Sequence, residues 1–195
     1  MSEEKLFLNR KIFIFLTLIV GLITGFLSFL ATLVPLFEIS GVVRGIVALS
    51  WYNIVAFNRR IFLSTLDTLS FLSIIVNIVN FFVIFSSLIS LALILRRIEN
   101  YMLFELPFAS SLVYIMYSGL LLGIFRVLHR EILTLSTVYR EITSAGILFT
   151  GESHVHETVF SKIFFPIIPL PLIMGFTYLA FSSIVMINYL RSKAF

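Results

Sequence analysis

The chain has 195 residues, of which 59% are hydrophobic and 12% charged, with a mean hydropathy of +1.09. A soluble globular domain carries about 25% charged residues, so this composition excludes an ordinary soluble enzyme and describes an integral membrane protein. The net charge of +4 lies in short segments beside apolar runs, which suits anionic headgroups and gives no support to nucleic-acid binding, while the lack of cysteine excludes disulfides, thiolate metal sites and iron–sulfur clusters.

After a short polar tail with Lys5, Arg10 and Lys11, residues 12–37 carry no charge. That length suits a first membrane span and exceeds the apolar core of a signal peptide, about 7–15 residues. Gly21 and Gly25 lie within it at the spacing that lets two helices approach closely in lipid. Residues 38–67 form a first outer loop that is far from hydrophilic. Val47, Leu49, Trp51, Val55 and Phe57 alternate with smaller or more polar residues, which favours an extended segment or hairpin over an interfacial helix. Trp51 and Tyr52 are residue types that anchor at headgroups.

The second span, 68–95, is marked on one face by Ser73, Asn77, Asn80 and Ser87. An amide facing lipid leaves polar atoms unpaired, so Asn77 and Asn80 are expected to pack against another helix or a partner. A tight connection holding Arg96, Arg97 and Glu99 leads to the third span, 106–125, with Pro107 near its start and Gly119 and Gly123 as a second close-packing pair. Its apolar rhythm continues beyond that run. Leu121, Phe125, Leu128, Ile132, Leu135, Tyr139 and Ile142 follow at spacings of 4, 3, 4, 3, 4 and 3, a heptad seam that needs a partner strand from a neighbouring loop, a second copy or another subunit. At about 1.5 Å per residue, a helix from Arg126 to Ile142 projects roughly 25 Å past the span.

A second outer loop, 143–162, precedes the fourth span, 163–190, whose first turns are crowded by Pro166, Pro169 and Pro171 and expected to be irregular. The loop contains Glu152, His154 and His156. In an extended segment these share one face, so two imidazoles and a carboxylate could meet a metal, with His129 as a further ligand; an ordinary solvated loop is the simpler reading.

These elements predict an all-α integral membrane protein. It is a single membrane domain over 1–195, a four-helix transmembrane bundle with a long third helix that continues to about 142 and two structured extramembrane loops. With both termini cytoplasmic, the inner segments hold Lys5, Arg10, Lys11, Arg96, Arg97, Arg191 and Lys193 in about 26 residues, against an equal number of basic residues in about 67 outside. Density therefore favours that orientation.

The four spans lack Asp, Glu, Lys, Arg and His, which argues against a pump or coupled transporter, and no phosphate loop, nucleophile elbow or paired intramembrane carboxylates appear. No enzyme activity and no cofactor are implied. With its larger first loop, lone Trp51, short inner connection and outward-running third helix, the chain resembles in plan the tetraspan proteins of the claudin type. The resemblance covers topology; the paired cysteines of that family's first loop are missing, as is its Trp-containing motif apart from Trp51. The expected function is a non-catalytic accessory or structural subunit of a larger membrane complex, respiratory, secretory or envelope. Its expected partners are other integral membrane subunits, or copies of itself, and lipid. The alternatives are a small oligomeric channel lined by the polar face of the second span, and a metal-binding assembly factor using the His-x-His loop.

Overall fold

A computed structural model describes residues 3–56, 59–96, 101–135, 143–144, 147–148, 152–166 and 169–193. Among these residues four helices are long and apolar enough to cross a membrane: α1 (Glu3–Leu33), α2 (Ser64–Leu95), α3 (Met102–Leu135) and α5 (Leu170–Lys193). A short α4 (Val159–Phe164) precedes α5. The helices are joined by β1 (Phe37–Gly41), β2 (Val43–Val47), β3 (Tyr52–Ala56), β4 (Arg59–Arg60), β5 (Thr143–Ser144), β6 (Ile147–Leu148) and β7 (Ser153–Glu157). The all-α expectation is thus corrected: a five-stranded antiparallel sheet, ordered β4-β3-β2-β1-β7, accompanies the helices. Its cause is a period-two alternation in both loops, read for the first loop but not for the second.

The chain divides into two compact units. The first comprises residues 1–29, 77–119 and 170–195. Its packing combines an apolar cluster, centred on Ile14, Leu18, Leu103, Phe104 and Val185, with a hydroxyl-rich network. The Ser28 hydroxyl bonds Tyr114, Asn80 donates to Tyr117 at 2.7 Å and to Asn77 at 2.9 Å, and Ser110 meets Tyr178 at 2.9 Å. Ser111 and Ser182 meet at 2.8 Å. Between helices in lipid such bonds are worth about 0.6–2 kcal/mol each. Gly21 lies against Ser87 and the ring of Tyr178, and a Cβ at Gly25 would come 2.7 Å from Ile84 and 3.2 Å from the Asn80 carbonyl. Both glycines therefore permit close approach of α1 to its neighbours.

The second unit comprises residues 30–76 and 120–169. Phe37, Ile39, Val43, Val47, Tyr52, Ile54, Ala56 and Ser153 are buried on one face of the sheet. That face is packed on the C-terminal part of α3: Phe37 stacks on Phe125 at 5.9 Å, and Phe125 in turn stacks on Phe165, just after α4, at 4.0 Å. Gly41 turns the chain from β1 into β2 at φ +121°, a left-handed conformation that a side chain would strain, and it lies against the Glu152 carbonyl of β7's approach.

Several span boundaries differ from expectation, the second helix for instance starting at Ser64. The first helix ends at Leu33, and Phe37 already belongs to β1. Ser50 and Trp51 provide the reason, since they bond the helix-end carbonyls of Thr32 and Leu33 that would otherwise be orphaned. The third helix starts at Met102, so Pro107 lies inside it. The expected irregular entry to the fourth span is present: α4 stops at Phe164, and α5 begins at Leu170 beyond the proline-rich break.

Candidate functional site

The outer face of the sheet follows from the same alternation that fills its core. Along β1 the pattern Phe37-Glu38-Ile39-Ser40 buries the apolar residues and leaves Glu38 and Ser40 outward. Along β7 Ser153 is buried while His154 and His156 are exposed. Residues directly opposite in an antiparallel pair share a face. Glu38 faces His156, Ser40 faces His154, Arg44 faces Val55 and Ile46 faces Asn53. An open cleft of about 400 Å³ is lined by Glu38, Ser40, Arg44, Ile46, Asn53, Val55 and His156, though not by His154. Arg44 is held in place by its Nε, which donates to the Gly41 carbonyl at 3.1 Å.

The rings of His154 and His156 stand 6.5 Å apart. Glu152 lies just before β7 and is exposed. Among the described residues no three His, Cys, Asp or Glu side chains gather as a metal site. His129 is engaged elsewhere. Its Nε2 lies 3.0 Å from Glu157 Oε1, and its ring stacks on Phe37 at 5.5 Å, tying β7 and β1 to α3.

The described part of the heptad seam is largely covered within this chain, as the neighbouring-loop reading allows. Leu121, Leu128 and Ile132 are exposed by 0%, 2% and 0%, and Phe125 is half-buried between Phe37 and Phe165. Phe125 meets the chain's own first loop at Phe37 and the segment after β7 at Phe165, so at least this part of the seam is answered from within the chain. Leu135 closes α3, and Tyr139 and Ile142 lie outside the described residues.

The helix-packing residues divide. Gly21, Gly25, Asn77 and Asn80 lie at contacts within the first unit. Gly119 and Gly123 do not: a Cβ at either would meet nothing within 4 Å, because that side of α3 faces outward with Leu112, Met116 and Leu120. The polar stripe of α2 is also spent within the chain. Ser73 donates to the Leu49 carbonyl at 2.7 Å, and the Asn80 amide donates to the Asn77 carbonyl oxygen and to the Tyr117 hydroxyl, while the Asn80 Oδ1 is buried without a hydrogen-bond partner. Among the described residues every buried polar side chain is a serine, threonine or asparagine, apart from the tyrosine hydroxyls; none is a charged type.

Glu38, Arg44 and Asn53 were not singled out as site residues by the sequence reading. The alternation from Phe37 to Ser40 was the available signal, hidden because Phe37 reads equally well as the end of an apolar span. No protein-family model, curated protein or solved structure matches the chain.

Proposed function

We propose that this protein is a non-catalytic accessory or structural subunit of a larger membrane assembly, in which the helices anchor and the outer sheet face recognises. The observation that carries this reading is the division of polar groups. Those among the helices are neutral and largely paired with one another, which suits packing and gives coupled transport no charged group to work with. Those on the outer sheet face, Glu38, Arg44, Asn53 and His156, border an open cleft and carry both signs of charge. Complementary charge of this kind confers specificity and register on a protein contact more than raw affinity. The partner is another integral membrane subunit presenting a polar surface outside the bilayer. The density of basic residues puts both termini on the cytoplasmic side and this face on the opposite one.

Native mass spectrometry after gentle extraction from the parent membrane tests the reading. The expected result is a fixed set of other subunits, released by Glu38→Lys together with Arg44→Glu while the chain itself stays folded. A lone monomer, or a complex indifferent to both substitutions, overturns it.

A further inference from the structure

The sheet brings together two histidines whose spacing has a use independent of any protein partner. His154 and His156 alternate outward from β7, the edge strand of the sheet, with Val155 between them turned the other way. Both rings are exposed, 6.5 Å apart, with 36° between their planes. Two imidazoles bound side by side to one ion, at about 2.0–2.1 Å per nitrogen, have centroids about 5 Å apart. Exposed rings reach that separation by side-chain rotation, with no movement of the strand.

The surroundings favour a cation. Glu38 stands directly across the β1–β7 pair from His156 and on the same face, where opposite Cβ atoms are about 4.5–5.5 Å apart. Ser40 occupies the matching place opposite His154. Arg44, the basic group lining the cleft, sits a strand further away on β2 and donates its Nε to the Gly41 carbonyl. Glu157 turns to His129 instead.

We propose that His154 and His156 form a two-imidazole chelate for a borderline divalent transition-metal ion, with the Glu38 carboxylate as its counter-charge and water completing the coordination. Imidazole ligands suit copper, nickel and zinc, and the order of divalent affinities puts Cu²⁺ first. The site differs from the Glu152–His154–His156 set that the sequence suggests in taking its counter-charge from Glu38, across the strand pair from His156. It stands apart from the scaffold reading: a subunit with no metal, or a metal-binding chain with no partner, are both coherent molecules.

Equilibrium dialysis of the purified full chain against Cu²⁺ and against Zn²⁺, at a pH where free imidazole is neutral, decides the matter. The expected result is saturable one-to-one uptake, tighter for Cu²⁺, with nitrogen ligation in the electron paramagnetic resonance spectrum. His154→Ala and His156→Ala each abolish it; His154→Thr and His156→Thr, which keep strand propensity, do the same in a chain of unchanged circular dichroism. Glu38→Gln weakens uptake roughly tenfold, and His129→Ala leaves it intact. Absence of saturable uptake overturns the proposal, as does uptake that survives loss of either His154 or His156.

Discussion

The indole N–H of Trp51 donates to the carbonyl of Leu33 across 2.9 Å, and so caps α1 with a side chain from the first loop. Ser50 does the same for Thr32, through its hydroxyl at 2.7 Å and its backbone N–H at 3.0 Å. The last carbonyls of a helix have no partner of their own, so the turn between β2 and β3 acts as the stop for α1. A Trp51→Phe substitution keeps most of the ring and removes the donor. It is expected to cost about 1 kcal/mol, read as a lower midpoint in thermal unfolding of the detergent-solubilised chain. No shift in the midpoint would mean that the Leu33 carbonyl needs no cap.

Tyr52 links the sheet to the start of α2. Its hydroxyl donates to Asp67 at 2.7 Å and accepts from the Leu63 N–H at 3.1 Å. Burial pushes this hydroxyl above the ordinary tyrosine value; the Leu63 N–H pulls the other way, and the Asp67 carboxylate adds to the rise. The fold therefore favours the neutral phenol. Its contribution is fully present below the unfolded tyrosine value, about pH 10, and is lost as pH climbs from there through the higher folded value. Unfolding midpoints measured from neutral to strongly alkaline pH should fall at the alkaline end. Tyr52→Phe should lower the midpoint at neutral pH by the equivalent of about 1–2 kcal/mol and remove part of the alkaline fall. Equal alkaline slopes in the two chains would sink the idea.

Two glycine pairs with the same spacing separate cleanly. A Cβ at Gly25 runs into Ile84 and the Asn80 backbone, whereas one at Gly119 meets nothing within 4 Å. Gly25→Leu should destabilise by about 1–3 kcal/mol or more through overpacking. Gly119→Leu should stay within about 0.5 kcal/mol of the parent, as surface substitutions do. Differential scanning of the two variants in one detergent checks both; a Gly119→Leu chain as damaged as Gly25→Leu would place a contact at Gly119 that the chain alone does not make.

Much of this architecture was legible because long apolar runs and prolines act locally. The four helices, the extended first loop and the broken entry to α5 all follow from residues within a few turns of where they act. The sheet's last pairing was not legible in the same way. Ser40 faces His154 across most of the chain's length, and nothing near either residue names the other. The alternation of the first loop gives Val55 an inward phase, whereas in the structure Tyr52, Ile54 and Ala56 face inward, because the turn at residues 48–51 shifts the alternation by one residue. Heptad spacing indicated that the α3 seam would be covered, but could not say that β1 and the segment after β7 would meet it at Phe125.

That covering gives the sharpest contrast between folding and partner contact. If the seam bound another subunit, polar substitutions at Leu128 and Ile132 would release the partner from an intact chain. Both residues are buried within this chain instead. Truncating a buried Leu or Ile to Ala costs about 2–5 kcal/mol through lost transfer energy and the cavity left behind. Leu128→Ala and Ile132→Ala should therefore lower the unfolding midpoint of the isolated protein and expose the first loop to proteolysis. Charge reversal at Glu38 and Arg44, on exposed strand positions, should leave that midpoint nearly unchanged. Limited proteolysis and thermal unfolding on the purified single chain separate the two cases, since no partner is present. An Ile132→Ala chain as stable and protease-resistant as the parent would restore the seam to the surface and return the search for a partner to α3.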